Sequence, residues 1–152
     1  MENYEERIEA LELWWEQCIL QNQLTEYLSN IKAKLNEHPK AGFASIEILG
    51  NNWPNGLQTL RIFALRPGIK YPKERHLNST QWIKTISGEG QIEVWESGKE
   101  MELHRLKEGQ TGVPAWSTVA SKIWHRPVNT GTRTWVTAAL HSADKVEDEF
   151  EE

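Results

Sequence analysis

The hydrophobic pattern of the chain changes period once, near residue 40. From about Asn3 to Glu37 apolar residues recur every three or four positions. Ile8, Leu11, Trp15 and Cys18 form one stripe, and Leu24, Leu28, Ile31 and Leu35 form a second with a shifted phase. The shift falls at Gln21, Asn22 and Gln23, which predicts either a break or one helix whose buried face rotates. Acids crowd the early turns (Glu5, Glu6, Glu9, Glu12), Lys32 and Lys34 lie near the end, and Pro39 closes the segment. Both the macrodipole and the missing proline N–H favour that arrangement.

From Gly42 onward the period is two. Strands are predicted at Phe43–Leu49, Leu57–Arg66, Trp82–Ile86, Gln91–Trp95, Glu102–Leu106, Thr111–Val113, Val119–Arg126 and Thr132–His141. Turn-forming clusters separate them, at Gly50–Gly56, Gly88–Gly90, Glu96–Lys99, Lys107–Gly109 and Asn129–Gly131. Many short strands with Gly turns and no helix between them predict an all-β sandwich or barrel behind a helical segment. The expected organisation is a helical segment over residues 1–40, one β domain over 41–143, and an acidic tail over 144–152.

Charge changes this picture only at the tail. The chain carries a formal −5, and Asp144 to Glu152 hold six acids and one Lys, so the tail alone accounts for −6 + 1 = −5. The neutral body has no basic footprint for nucleic acid, and the tail is expected to be disordered. Eight Trp suit either a β core or the wall of a pocket, and the core is the expectation for most of them. The lone Cys18 lies in the first stripe as a small core hydrophobe. With no disulfide, signal segment or long apolar run, a cytoplasmic protein without a membrane span is expected. The helical segment has two readings, packing on the sheet or pairing with a second copy. Trp14, beside Trp15 but off the stripe, widens the apolar face and tips the expectation towards a homodimer.

Candidate chemistry concentrates between Pro67 and Gly90. Glu74 and His76 are two apart, so on a strand they face the same way and offer an oxygen and a nitrogen to one point. If Gln81 returns on the next strand, its amide oxygen reaches the same point. Ile83 and Thr85 share its parity and should face the interior. Tyr71, in the preceding loop, is the nearest acid/base residue. The bland alternative pairs Glu74 with Lys73 or Arg75 at the surface. His38, His104 and His141 have no partner at ligand spacing and read as structural.

Gly68, five residues, Glu74, Arg75, His76, four residues, Gln81, six residues and Gly88 resemble the first motif of the cupin superfamily at every spacing. Gly109, Pro114, His125 and Asn129 resemble its second motif, with an insertion between Ala115 and Trp124 that brings Trp116 and Trp124 towards the mouth of a barrel. The resemblance implies a jelly-roll β-barrel. It maps the family's ligand positions, two His, a Glu and a His, onto Glu74, His76, Gln81 and His125. The first His has become Glu and the Glu has become Gln, so the single negative charge is kept. The implied cofactor is a divalent first-row metal ion, Fe(II) first, with Mn, Ni or Zn as alternatives. Gln81 is then a weak ligand or orients the substrate, a residue that lyase-like and cyclase-like cupins place there. The implied activity is a dioxygenase or isomerase/lyase acting on a small molecule, and the alternative is a non-catalytic ligand-binding or sensor cupin.

Overall fold

The structure is a computed structural model and describes residues 3–49 and 53–152, so Gly50, Asn51 and Asn52 of the first predicted turn lie outside the described residues. Asn3 opens α1 (Tyr4–Leu20) with a capping box. Its side chain accepts from the Glu6 N–H at 2.8 Å, and the Glu6 carboxylate accepts from the Asn3 N–H. The two stripes prove to be two helices. Asn22 takes φ 58°, a left-handed conformation that Asn tolerates better than most residues, and α2 (Gln23–Glu37) starts in a new direction. His38 is the C-cap of α2.

Among the described residues ten strands follow: β1 (Phe43–Leu49), β2 (Thr59–Leu65), β3 (Glu74–His76), β4 (Gln81–Ser87), β5 (Glu89–Trp95), β6 (Glu102–Lys107), β7 (Ser117–Val119), β8 (Trp124–Asn129), β9 (Trp135–His141) and β10 (Asp148–Phe150). They form two antiparallel five-stranded sheets, in the orders β1-β2-β9-β4-β7 and β10-β3-β8-β5-β6.

Strand parity sorts the side chains into layers. Leu60, Ile62 and Ala64 of β2 and Val136, Ala138 and Leu140 of β9 pack outward beneath Leu11, Trp14, Trp15, Ile31 and Leu35 of the helices. Leu65, Ile83, Trp135 and Ala139 point the other way and meet Ile92, Val94 and Leu106 of the second sheet. With helices on one side and a sheet on the other, every residue of β9 is buried. The wide apolar face that favoured a dimer is covered within the chain. Trp14 stacks edge-on against Trp15, and Trp15 against Trp116, each pair 6.1 Å apart. Cys18 is buried in the same layer, which pushes its thiol up to about 11 and leaves it unreactive.

Three expectations are corrected. Thr111–Val113 is not a strand: Gly112 sits at φ 71°, ψ −157°, and Pro114 lacks a ladder N–H, so the chain makes a 3-10 turn over Val113–Ala115. The strand predicted over Val119–Arg126 is two strands. A turn with Lys122 at φ 68° separates β7, which pairs with β4 in the first sheet, from β8 in the second. Nor is the acidic tail disordered, because β10 completes the edge of the second sheet. The neighbouring edge is basic, so tail acids find partners there: Glu149 with Arg75 at 3.1 Å, and Glu151 with Lys73 at 3.9 Å.

Candidate metal centre

Between the sheets lies a cavity of about 430 Å³, with apolar walls that include Phe63, Ile83, Ile92 and Phe150. Its polar end is built from both sheets. Strand β3 turns Glu74 and His76 to one side, and Glu74 pairs directly across the ladder with His125 on β8. Gln81 opens β4 in the opposite sheet and reaches across to both rings. Glu74, His76 and His125 each present a ligand atom, all within 4.8 Å of one another. All four residues that the motif mapping singled out therefore meet at one point, and Ile83 lines the same cavity. Lys73 and Arg75 pair with the tail instead of with Glu74.

The hydrogen bonds decide which nitrogen of each ring faces that point. His125 donates Nδ1–H to the Ile123 carbonyl at 2.9 Å, and His76 donates Nδ1–H to Asp148 Oδ1 at 2.7 Å. Both Nε2 atoms then face inward, and each offers a lone pair wherever its ring is neutral. The Gln81 amide spans them, with Oε1 3.1 Å from His76 Nε2 and its NH₂ 3.0 Å from His125 Nε2. One amide cannot satisfy two lone pairs. Whichever way it is turned, its oxygen meets one of them, and that contact closes only with a cation, a proton or a metal ion, on the ring nitrogen.

Burial sets the charges. It pushes the Glu74 carboxyl up to about 7, against the pull of His76. Burial, with repulsion from His76, holds His125 down to about 4 and His141 well below the usual imidazole range. Asp148 goes the other way. Burial alone would raise it, but hydrogen bonds from His76 and Arg61 outweigh that and hold it well below the usual carboxylate range. Tyr71 lines the cavity among aromatic rings, 5.1 Å from Phe43 and from Phe63. Burial and the nearby Glu74 and Asp148 carboxylates raise its phenol, so it is a proton-bearing donor rather than a base.

Three site residues escaped the sequence reading. His141 is buried and lines the cavity, its ring 4.8 Å from that of His76 and its Nδ1 3.1 Å from Ser79 Oγ. Asp148 and Arg61 also line it, 2.8 Å apart. Parity along β9 was the available signal for His141, since it shares the inward phase of Trp135 and Ala139, but no spacing rule links it to Gln81. Two expected features lie elsewhere. Trp116 packs beneath the helices, and Trp124 lies on the outer face with Arg75 4.6 Å over its ring, so neither lines the cavity. His104 bonds Ser117 Oγ at 2.6 Å, and it too lies away from the cavity.

No protein-family model matches the chain, and no curated protein matches it by sequence. Solved structures do match by shape. Recombinant oxalate oxidase in complex with glycolate aligns with a TM-score of 0.60 at 17% identity, over 73% of this chain and 56% of that one. Oxalate decarboxylase from Bacillus subtilis aligns with a TM-score of 0.60 at 19% identity, over 72% and 28%. The capsular polysaccharide assembling protein CapF from Staphylococcus aureus aligns with a TM-score of 0.59 at 16% identity, over 74% and 33%. The chain thus spans between about a quarter and just over half the length of these neighbours. At such identities the likeness speaks for architecture, and it agrees with the spacing of both motifs. In fold, the chain is cupin-like.

Proposed function

We propose that the chain is a metal-dependent cupin enzyme that acts on a small molecule in this cavity, on a jelly-roll barrel. Glu74, His76 and His125 are the ligands of one divalent first-row ion, and Gln81 is a weak fourth ligand or the group that orients the substrate. The observation that supports this best is the pair of inward-facing ring nitrogens. Each His donates its other nitrogen to a fixed acceptor, as ligating histidines do, and a buried carboxyl completes the set. Two imidazoles and one carboxylate suit Fe(II), and also Mn, Ni or Zn. Mn(II) centres are a feature of the oxalate decarboxylase of Bacillus subtilis, a structural neighbour, which supports including Mn.

When bound, such an ion supplies either a Lewis acid for isomerase or lyase chemistry or a redox centre for dioxygen chemistry. The chain's own residues divide the remaining tasks. Phe63, Ile83, Ile92 and Phe150 exclude water, Gln81 fixes the orientation of a polar group, and Tyr71 donates a hydrogen bond. A cavity of about 430 Å³ lies within the range used for small ligands.

Reconstitution tests the proposal. Chelator-stripped protein, dialysed separately against Fe(II), Mn(II), Ni(II) and Zn(II), is expected to retain about one ion per chain for at least one metal, by the one-site geometry. His76→Ala and His125→Ala, folded by circular dichroism, are expected to retain far less. Retention of none of the four by the parent protein would instead favour a metal-free binding module.

A further inference from the structure

We propose that Asp148, delivered by the C-terminal strand β10, is a positioning residue of the metal centre. Its carboxylate fixes the tautomer and orientation of His76 so that Nε2 faces Glu74 and His125. The inference rests on the metal reading above, and it assigns a task to a segment whose composition reads as solubilising tail.

Register places the carboxylate. Asp148 lies directly opposite His76 in the β10–β3 ladder, Glu149 opposite Arg75, and Phe150 opposite Glu74. Period two then sends Asp148 and Phe150 to the cavity and Glu149 to the outside, where it binds Arg75. The same Oδ1 that accepts from His76 at 2.7 Å also accepts from Arg61 Nη1 at 2.8 Å. Arg61 is held in turn by Glu47 at 2.8 Å. A chain of side-chain hydrogen bonds, Glu47 to Arg61 to Asp148 to His76, therefore runs from the first sheet to the proposed metal point on the second.

The His76 ring has two competing acceptors. Gln81 Oε1, 3.1 Å from Nε2, favours the tautomer with its hydrogen on Nε2, which would occupy the lone pair a metal needs. Asp148 favours the hydrogen on Nδ1, which frees Nε2. Removing Asp148 leaves Gln81 as the acceptor, and the ring takes the tautomer that cannot ligate. Arg61, bonded to the same oxygen at 2.8 Å, holds the Asp148 carboxylate in that orientation.

Three variants separate this role from simple docking of the tail. Asp148→Ala removes the acceptor, Asp148→Asn keeps an acceptor oxygen without the charge, and Glu149→Ala breaks the outer ion pair without touching His76. Zn(II) affinity is measured by chelator competition, folding by circular dichroism, and the tautomer of His76 in the metal-free protein by 15N NMR. Asp148→Ala is expected to weaken Zn(II) binding by about 10–100-fold and to move the hydrogen to Nε2. Asp148→Asn should restore part of the affinity, and Glu149→Ala should leave affinity and tautomer unchanged. Parental affinity and tautomer in Asp148→Ala would overturn the proposal, as would an equal loss in Glu149→Ala. If Asp148→Ala fails to fold, Asp148→Asn decides through its tautomer and affinity. A parent that binds no Zn(II) counts against zinc as its metal, while the tautomer comparison still decides the role of Asp148.

Discussion

Gln81 and His141 stand opposite each other in the β4–β9 ladder, and both side chains line the cavity. One spans the two inward ring nitrogens, while the other stands outside the cluster formed by Glu74, His76 and His125. Ser79 Oγ lies 3.1 Å from His141 Nδ1, and burial keeps the ring neutral. His141 is thus a neutral imidazole beside the cluster of Glu74, His76 and His125, and the proposed ligand set leaves it out. His141→Gln is expected to keep metal stoichiometry at the parental value, as measured by elemental analysis. A loss of metal as complete as that in His125→Ala would make His141 a ligand.

Glu74 opposes stability at high pH when no metal is present. Burial raises its pKa from 4.5 to about 7, so the folded state binds more protons than the unfolded state between those values. Its stabilising contribution is fully present below pH 4.5 and is lost as pH rises through 7. His125 has the opposite sign, since its pKa falls from 6.5 to about 4 and stability is lost as pH drops through that window. Above pH 7 only the Glu74 effect remains. Chelator-treated Glu74→Gln is therefore expected to exceed the parent in stability at pH 8, by on the order of 3 kcal/mol, and to match it near pH 4. Urea denaturation at the two pH values measures this. A variant less stable than the parent at pH 8 would contradict it.

The same shift links metal binding to protons. Below pH 7 Glu74 holds a proton that a metal must displace, and well above pH 7 it holds none. Affinity should rise with pH by up to about tenfold per unit below 7 from this group and flatten above it. Calorimetry in buffers of different ionisation enthalpy should detect this proton at pH 6, and Glu74→Gln should not release it. The same proton release from Glu74→Gln would assign the proton to another group.

Gly90 belongs to the second turn of the first motif, and the fold gives it a steric reason. A Cβ there would lie 2.3 Å from the ring of Trp135, which is fully buried and donates Nε1–H to Thr85 Oγ1 at 2.9 Å. Gly90→Ala must displace a ring locked by packing and by that bond. The expected cost is about 1–3 kcal/mol in chemical denaturation, and unchanged stability would show that Trp135 can move.

Local chemistry was legible in the sequence and long-range pairing was not. Glu74 and His76 could be placed together because two-residue spacing on a strand has a single outcome. His125 came from motif spacing, and the phase shift over Gln21 to Gln23 offered the helix break as one of two readings. His141 could not be placed, because its position depends on the Gln81 register, which the chain sets through sheet assembly. Asp148 was hidden by composition. Acids that suit a solvated tail also suit a basic sheet edge, and only the presence of Arg61, Arg75 and Lys73 on that edge decides between the two. The apolar width around Trp14 pointed outward to a partner, whereas the first sheet supplies the covering surface.

X-ray absorption spectroscopy of the metal-loaded protein tests the proposed ligand set most directly. Two imidazole nitrogens with oxygen donors are expected around the ion, with one imidazole lost in His125→Ala. An ion bound without imidazole scattering, or a spectrum unchanged in His125→Ala, would contradict a centre built from Glu74, His76 and His125.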